Sequence, residues 1–262
     1  MSDAKGRFVW YDLMTTDPDA AVKFYSKVVG WGTTDWQSPE GGQSYTMWTN
    51  STGPFGGVMD LSEDVKKAGA PPHWMVYIST PDIDKTVNRA KELGGDVVLP
   101  PTDIPTIGKF AILRDPQGAS FSLFTPAPDA QPMSPNGPPQ QGQFSWHELA
   151  TTDPEAAFKF YSDLFGWVKT SDFDMGPLGT YQMYGLSEDM PLGGIYNKPD
   201  EIPMAAWLPY AMVDDATAGA ERVQKAGGQV INGPMEVPGG DWIAQGIDPQ
   251  GAMFAIHSTK QG

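Results

Sequence analysis

The chain has no cysteine, only three histidines and few basic residues, and each scarcity narrows what it can do. Without cysteine, disulfides, thiol nucleophiles and thiolate metal sites are excluded. Lys and Arg number 17 against 32 Asp and Glu, which gives a formal net charge of −15. No cluster of Lys or Arg is present to neutralise phosphates, so we predict binding neither to nucleic acid nor to anionic membrane surfaces.

Long apolar runs and common catalytic loops are missing as well. The first residues lack the apolar core of a signal peptide, and no apolar run is long enough to span a bilayer. We therefore predict a cytoplasmic protein and leave open export without a cleaved signal. There is neither a Gly-rich phosphate loop nor a Gly-x-Ser-x-Gly motif, so phosphate-loop and nucleophile-elbow chemistry are not predicted.

What the chain does contain is one pattern written twice. Phe8–Trp31 and Phe144–Trp167 are identical at 15 of 24 positions when they are laid together at an offset of 136 (146 − 10). The turn sequence Asp115–Ala119 recurs unchanged as Asp248–Ala252. Unrelated segments would share only about one or two positions in such a window, so this is an internal duplication.

A proline-rich stretch separates the two copies. Thr125–Gln143 holds six prolines in 19 residues, and such a run can continue neither a helix nor a central strand. It is typical of an extended, semi-stiff linker. We predict a first domain over residues 1–126, a linker over 127–143 and a second domain over 144–262, each long enough for its own core.

The pattern of each copy predicts two successive units, each made of a strand, a helix and several further strands. In the first copy, Phe8–Met14 alternates as a strand, Asp17 caps a helix that begins at Pro18, and Trp36–Asp60 holds two or three short strands. A second round then follows, with a strand, a helix and three strands at His73–Ser79, Asp82–Leu93, Val97–Leu99, Phe110–Arg114 and Ser120–Phe124. The whole chain therefore holds four βαβββ units.

This unit order, the Asp-Pro…Phe-Tyr…Gly-Trp segment and the Asp-Pro-Gln-Gly turn resemble the vicinal oxygen chelate superfamily. That superfamily includes glyoxalase I, extradiol dioxygenases and bleomycin resistance proteins. The tandem form is similar to a glyoxalase-like subfamily that contains a mycobacterial culture-filtrate antigen. The resemblance implies an α+β fold of two tandem glyoxalase-like domains, each with two βαβββ units, forming cup-shaped mixed sheets with the helices outside.

The resemblance also implies where a metal site would lie. Counting from local anchors places the three ligand positions on Trp10, Met75 and Ser122 in the first copy. In the second copy they fall on Trp146, Leu208 and Ala255. A fourth position, near Gly57–Asp60 and Gly194–Asn197, is not anchored, and Asp60 is a candidate for it. None of the anchored residues is a usual metal ligand, so we predict no metal and no other cofactor.

One alternative register would place a metal-binding residue at a ligand position in the second copy. A shift by one residue puts His147 at the first ligand position, but it needs a gap in the best-matched segment. The counterpart of His147 is Tyr11, so at most one copy would benefit. The favoured interpretation is that Tyr11 and His147 pack between sheet and helix.

Residues two apart on a strand share a face, so the neighbours of the ligand positions should also line the cups. The predicted ligand-binding residues are Trp10, Met75, Tyr77, Ser122, Phe124, Trp146, Leu208 and Tyr210. Tyr45, Met47, Tyr181 and Met183 are further wall candidates. Aromatic and thioether side chains with few polar groups are typical of small-molecule sites.

Four polar residues are candidates for catalysis in these cups. Asp12 and Glu148 occupy equivalent places in the first strands, and His73 and His257 lie on later strands. The superfamily often builds cups from halves of different domains, so Asp12 could face either histidine, with Glu148 facing the other. Such a pair could act as a general base, or equally form a buried ion pair or a hydrogen bond.

Together these features predict a glyoxalase-like protein with two aromatic, metal-free cups that bind small organic molecules, with cationic or aromatic ones as the candidates. The first alternative is a metal-dependent lyase or isomerase of glyoxalase type acting on α-ketoaldehydes or thiol adducts. The second is a protein-interaction or antigen role. The protein would be a monomer with intrachain domain pairing or a homodimer.

Overall fold

The computed structural model describes residues 5–37, 44–67, 69–128, 130 and 137–259. The first repeat contains eight strands and three helices: β1 (Phe8–Thr15), α1 (Pro18–Val28), β2 (Gly32–Trp36), β3 (Tyr45–Asn50), β4 (Gly53–Asp60), α2 (Glu63–Lys67), β5 (His73–Ser79), α3 (Ile83–Glu92), β6 (Asp96–Ile104), β7 (Gly108–Arg114) and β8 (Ser120–Pro126). The predicted linker over 127–143 lies partly outside the described residues.

The second repeat follows the same plan. Its elements are β9 (Phe144–Thr151), α4 (Pro154–Phe165), β10 (Val168–Asp174), a short 3₁₀ helix (Gly176–Leu178), β11 (Thr180–Ser187), β12 (Met190–Asn197), β13 (Ala206–Met212), α5 (Ala216–Lys225), β14 (Gln229–Glu236), β15 (Trp242–Ile247) and β16 (Met253–Ser258). The predicted α+β class and the four βαβββ units are confirmed. Among the described residues, no helix combines the length and the apolar character needed to cross a membrane.

The strands form two mixed eight-stranded sheets with matching topology. Their orders are β2-β3-β4-β1-β5-β8-β7-β6 and β10-β11-β12-β9-β13-β16-β15-β14. The pairs β1/β4, β5/β8, β9/β12 and β13/β16 are parallel, whereas consecutive outer strands are antiparallel. Both repeats therefore place their first and fifth strands at the middle of a sheet.

The helices begin where the sequence predicts. Asp17 accepts a hydrogen bond from the Ala20 N–H and precedes Pro18 at the first position of α1. Asp153 and Pro154 repeat this arrangement at α4. A capping carboxylate satisfies an N–H group that has no partner inside the helix, and proline lacks the N–H that would be unpaired there. The repeated Thr-Thr-Asp-Pro sequence is thus a helix start.

The chain divides into two compact units that cut across the repeats. Unit one holds Met1–Trp10, Met75–Ser134 and Trp146–Trp207, and unit two holds Tyr11–Trp74, Pro135–Ser145 and Leu208–Gly262. Each unit therefore takes one half from each repeat. The division into residues 1–126 and 144–262 describes the duplication, and its value as a description of folding units stays a prediction.

A buried three-residue cluster in each unit explains the Phe-Tyr and Asp-Pro-Gln-Gly motifs. In unit one, the Tyr161 hydroxyl donates to Asp115 Oδ2 at 3.0 Å and accepts from the Trp207 indole N–H at 3.0 Å. Asp115 Oδ1 accepts from the N–H groups of Gln117 and Ala119. Burial raises the pKa of the Asp115 carboxyl above its ordinary value, although these hydrogen bonds oppose the shift.

Unit two repeats this cluster with the roles of the repeats exchanged. Tyr25 donates to Asp248 Oδ2 at 3.1 Å and accepts from the Trp74 indole at 3.1 Å. In both units the tyrosine lies on the first helix of one repeat, and the aspartate lies in the last turn of the other. We call these two clusters the tyrosine clamps. They join halves of different repeats within one unit.

The Gly-Trp and Gly-Gly motifs have structural roles as well. The Trp31 indole donates to the Gly142 carbonyl oxygen at 2.8 Å in unit two, and the Trp167 indole donates to the Gly6 carbonyl at 2.9 Å in unit one. Gly228 lies against the Phe24 ring in unit two, where an added Cβ would come within 2.8 Å of a ring carbon. Close packing against the α1 ring therefore requires glycine at this position.

We expect that removing the clamp hydroxyls will destabilise the protein. Tyr161→Phe and Tyr25→Phe should each lower the free energy of unfolding by about 2–3 kcal/mol, because a buried carboxylate and a buried indole N–H each lose a partner. Urea denaturation monitored by circular dichroism measures this loss. Equal stability of wild type and both variants would show that neither clamp stabilises the unit that contains it.

Candidate functional site

In unit two, strands β1, β3 and β4 bring the Asp12 carboxylate next to the Tyr45 ring. Asp12 on β1 is paired in register with Gly57 on β4. The Tyr45 ring lies over Gly57, because a Cβ added to Gly57 would overlap that ring. The Tyr45 hydroxyl donates to Asp12 Oδ1 at 2.5 Å. Glycine at position 57 thus makes room for a partly buried hydrogen bond between phenol and carboxylate.

Unit one repeats the arrangement with the longer acid. Glu148 on β9 is paired with Gly194 on β12, and a Cβ on Gly194 would overlap the Tyr181 ring. The Tyr181 hydroxyl donates to Glu148 Oε1 at 2.8 Å and accepts from the Trp146 indole N–H at 2.7 Å. We call Asp12–Tyr45 and Glu148–Tyr181 the carboxylate–tyrosine pairs.

The phenols in unit one stay protonated at neutral pH. Burial, and then the charge of Glu148, raise the pKa of Tyr181 well above its ordinary value. The same two causes raise the pKa of Tyr196, whose ring stacks on Tyr181 at a centroid distance of 5.7 Å. A neutral phenol can donate to a carboxylate, so the electrostatics and the hydrogen bond agree.

The surroundings of the two pairs differ in chemistry. Strand register places methionines and Trp36 on the Asp12 face of unit two, namely Met14, Met47 and Met59. On the Glu148 face of unit one it places Trp146, Tyr181, Met183, Tyr196 and Phe173. The predicted wall residues Tyr45, Met47, Tyr181 and Met183 all lie on these faces. One face is therefore soft and rich in thioethers, and the other is aromatic.

Most of the other predicted ligand-binding residues of unit one lie in a second, apolar wall. Met75, Tyr77 and Phe124 are buried together with Val9, and partly buried side chains pack against them, namely Trp10, Ile104, Ile107, Phe110 and Ile112. Ser122 lies opposite Tyr77 on β5 and opposite Ile112 on β7, so it shares their face. We call this set the apolar wall.

Ser122 is the unusual member of the apolar wall. Its side chain is fully buried, and its hydroxyl has no hydrogen-bond partner in the described structure. A buried hydroxyl without a partner costs about 1–3 kcal/mol. The equivalent position in the second repeat is Ala255, so the fold itself does not require a hydroxyl there.

The equivalent wall of unit two is polar. Tyr210 accepts a hydrogen bond from Gln245 Nε2 at 2.5 Å, and Asn232 donates to Gln245 Oε1 at 3.1 Å. His257 lies opposite Met212 and Ile243 on the neighbouring strands. Leu208, the remaining predicted residue, is half-buried on β13. Gln245 and Asn232 replace Ile112 and Leu99 of the first repeat, so the two walls have diverged.

The three histidines have distinct surroundings. The carboxylate that the structure places on His257 is Asp241, whose Oδ2 lies 3.1 Å from Nε2. His73 Nδ1 lies 2.8 Å from the Pro71 carbonyl oxygen. The pairing of Asp12 or Glu148 with a histidine is not tested by these contacts and stays a prediction, as do the catalytic roles of all four residues.

His147 fits the packing interpretation. Its ring is buried and stacks on Phe8 at 3.7 Å, and its Nδ1 lies 3.1 Å from the Leu192 carbonyl oxygen. A carbonyl can only accept, so Nδ1 carries the proton. Burial lowers the pKa of His147 to about 3, against the opposing effect of that hydrogen bond. His147 is therefore a neutral core residue of unit one.

Ser145, Asp241, Gln245 and Tyr196 are site candidates that the motif search missed. No short motif marks them, because each residue meets its own partners only within the assembled unit. A signal was nevertheless present in the duplication. Positions at which one repeat is polar and the other apolar, such as Gln245 against Ile112, mark departures from a shared core.

The donor chemistry at the positions implied by the superfamily does not fit a divalent ion. Those positions hold indole, thioether, alkyl and hydroxyl side chains, whereas such ions take imidazole, carboxylate or thiolate. Asp12 and Glu148 already accept tyrosine hydroxyls. Within the described ranges, no group of three or more His, Asp or Glu side chains could hold a metal ion. We derive no chemical step through a metal.

A separate cavity of about 330 Å³ lies at the start of α5 in unit two. Its lining is acidic with one indole, and consists of Asp215, Ala216, Thr217, Glu236, Gly240, Trp242 and Ser258. Asp215 caps α5, and Ser258 accepts from the Ala216 N–H. The predicted site residues do not line this cavity, and two of its polar side chains, Asp215 and Ser258, already bond to the start of α5.

Comparison with known proteins gives the family. A family model described as "Glyoxalase/Bleomycin resistance protein/Dioxygenase superfamily" matches residues 7–123 and 143–256. The chain therefore belongs to the glyoxalase/bleomycin resistance protein/dioxygenase superfamily, whose fold binds small molecules. The two matched regions correspond to the two repeats.

Two similar proteins span nearly the whole chain. The protein named "Putative glyoxylase CFP32" of Mycobacterium tuberculosis is 33% identical over 247 residues, covering 94% of this chain and 92% of that protein. The "Anthracycline biosynthesis protein DauV" of Streptomyces sp. strain C5 is 29% identical over 269 residues, covering 98% and 95%.

Solved structures support the fold alone. The Mn(II)-bound glyoxalase from Novosphingobium aromaticivorans has a TM-score of 0.64 at 17% identity, covering 100% of this chain and 84% of that one. The 2,3-dioxygenase LapB from Pseudomonas sp. KL28 has a TM-score of 0.65 at 11% identity, covering 98% and 94%.

The burial of His147 predicts acid sensitivity. A pKa of about 3 in the folded protein, against an ordinary value of 6.5 for histidine, means that the stabilisation is complete above pH 6.5 and is lost as pH falls towards 3. Between pH 7 and pH 4 this residue should remove roughly 3 kcal/mol of stability. His147→Phe should lose less over that interval in urea unfolding. Identical losses in both proteins would contradict a neutral buried histidine.

Replacing Ser122, whose hydroxyl has no hydrogen-bond partner in the described structure, should stabilise the protein. Ser122→Ala should raise the free energy of unfolding by about 1 kcal/mol, because it removes a buried hydroxyl that lacks a hydrogen bond. The reciprocal change Ala255→Ser is the matched control and should lower stability by a similar amount. Urea denaturation of both variants measures the effect. A destabilised Ser122→Ala would mean that the hydroxyl has a structural partner.

Proposed function

We propose that this protein binds small organic cations with aromatic character, without a metal, at its two carboxylate–tyrosine pairs. The observation that carries the proposal is that the pair is built twice, once with Asp12 and once with Glu148. The acids differ in length, yet each meets a tyrosine hydroxyl over a glycine. Retention of that contact despite the change of acid favours a role in binding.

Burying each of these two carboxylates is energetically unfavourable. Asp12 is 3% exposed and Glu148 is 8% exposed, and a buried carboxylate must be stabilised by hydrogen bonds or by an opposite charge. Tyr45 donates to Asp12, Tyr181 donates to Glu148, and the Trp146 indole donates in turn to the Tyr181 hydroxyl. A cation would be attracted to these carboxylates, and the net charge of −15 would draw it towards the protein.

The side chains around each pair suit such a ligand. Aromatic faces attract cations through their π electrons, by about 1–2 kcal/mol where water is excluded, and unit one offers Trp146, Tyr181 and Tyr196. The thioethers of Met14, Met47 and Met59 in unit two adapt to flat, polarisable surfaces. The name of the anthracycline biosynthesis protein DauV also supports an aromatic ligand.

The glyoxylase name of the mycobacterial relative favours a second candidate, a metal-dependent lyase or isomerase acting on α-ketoaldehydes or thiol adducts. This candidate needs metal ligands other than the residues at the superfamily positions. Metal analysis of tag-free protein, followed by Zn²⁺ and Ni²⁺ titration with tryptophan fluorescence, separates it from the binding proposal. Stoichiometric uptake would favour the enzyme.

We expect 10-methylacridinium, a flat aromatic cation, to quench tryptophan fluorescence by binding at both pairs. Glu148→Gln and Asp12→Asn should each weaken one of the two sites about tenfold or more, because each variant removes the buried charge (about 1.4 kcal/mol or more). Glu188→Gln is the matched control, since Glu188 is exposed on the β11–β12 turn and its loss changes net charge equally.

Neutral acridine at pH 8 provides the second comparison. It shares the ring system but lacks the charge, so it should bind more weakly to wild type and respond little to either substitution. The proposal would be overturned if Glu188→Gln weakened methylacridinium binding as much as Glu148→Gln did. That result would indicate general attraction to an acidic surface.

A further inference from the structure

Unit two contains a continuous hydrogen-bonded chain of serine, histidine and aspartate. Ser145 Oγ lies 2.8 Å from His257 Nδ1, and His257 Nε2 lies 3.1 Å from Asp241 Oδ2. Both distances are within the reach at which a base can take a proton from a hydroxyl and a carboxylate can orient the base. We call these three residues the serine relay.

The serine relay exists in the second repeat alone. The equivalent residues of the first repeat are Val9, Phe124 and Gly108, at offsets of 136 for the serine and 133 for the other two. Val9 and Phe124 are buried apolar residues in unit one. The shared fold therefore needs no polar group at these positions. Three separate substitutions that together complete one hydrogen-bonded chain point to chemistry.

The protonation states follow from the donor and acceptor inventory. The carboxylate of Asp241 can only accept, so in neutral His257 the proton lies on Nε2. Nδ1 then carries the lone pair and accepts from the Ser145 hydroxyl. Ser145 also lies 3.3 Å from the Tyr210 carbonyl oxygen, a longer contact than the one to His257. The shorter contact directs the serine proton towards the imidazole.

Regular structure holds each member in place. Ser145 is half-buried near the start of β9, and His257 lies on β16. Asp241 follows the turn at Gly239 and Gly240, whose φ angles are +109° and +93°. The Val237 N–H donates to the Asp241 carbonyl at 2.8 Å and closes that turn. Glycines with positive φ thus allow the chain to present the carboxylate to the histidine.

We infer that Ser145 is a nucleophile for small activated esters. Its oxygen bonds to the acyl carbon while the bond from that carbon to the ester oxygen breaks, and the serine proton passes through His257 Nδ1 to the departing alcohol. Water then attacks the acyl carbon and gives a proton to His257 Nδ1. The bond from that carbon to the Ser145 oxygen breaks, Nδ1 passes the proton to this oxygen, and the carboxylic acid is released. Asp241 is a positioning residue that holds the imidazole tautomer.

The nitrogens are used in the opposite sense from the familiar serine hydrolases, in which aspartate binds Nδ1 and serine faces Nε2. The roles of the three groups are nevertheless the same. The chemistry requires a hydroxyl, a base within reach and a carboxylate that fixes the base, and such sites are recognised by geometry and roles, not by position in the sequence. The relay is independent of the carboxylate–tyrosine pairs.

The test is covalent labelling of the full chain with a biotinylated fluorophosphonate, followed by peptide mass spectrometry. The probe bonds phosphorus to a nucleophilic serine oxygen and releases fluoride. We expect labelling at Ser145, abolished in Ser145→Ala and slowed about 100-fold in His257→Phe, which introduces the side chain of the first repeat. Ser120→Ala, at a half-buried serine that begins β8, should label like wild type.

Hydrolysis of p-nitrophenyl acetate tests the positioning role of Asp241. Asp241→Asn should lower kcat tenfold or more with KM unchanged, because it disturbs the imidazole without touching the ester. Thermal melting of each variant checks folding. If His257→Phe is unfolded, Asp241→Asn decides instead. Labelling that is absent from wild-type Ser145, or equally fast in the folded relay variants, would overturn the inference.

Discussion

The tyrosine clamps are the interaction on which the rest of the structure depends. Each brings the first helix of one repeat against the last turn of the other through a phenol that serves both a carboxylate and an indole. The aspartate is buried, so its hydrogen bonds offset a desolvation that already raises its pKa. Because the clamp combines residues from both repeats, the half-and-half make-up of each unit is fixed at its core.

Much of this fold could be predicted from the sequence. Asp17 with Pro18 locates a helix start, because capping depends only on neighbouring residues. Alternation along the strands predicts that Ser122 shares a face with Tyr77 and Phe124, because side-chain direction has a fixed period of two, and strand pairing puts Ser122 opposite Tyr77. The repeats made these inferences firmer by presenting each pattern twice.

The contacts of the candidate site were harder to predict. Tyr45 meets Asp12 only because β3, β4 and β1 align in a register that no local motif sets. His257 contacts both Asp241 and Ser145, and Ser145 lies 112 residues away from it in the sequence. Such pairings depend on the assembled sheet, and local sequence carries information about them only where the two repeats differ.

The exchange of halves between repeats has a consequence for how such a chain could arise. A polypeptide with a single repeat would carry the tyrosine of the clamp and the aspartate of the clamp on halves that belong to different units. It could complete either unit only by trading halves with an identical molecule. A symmetric pair of such molecules would contain every contact of the present units twice over. Joining two such repeats in one chain would convert an obligatory dimer into a single polypeptide and would free its two copies to diverge, as the difference between Phe124 and His257 at equivalent positions illustrates.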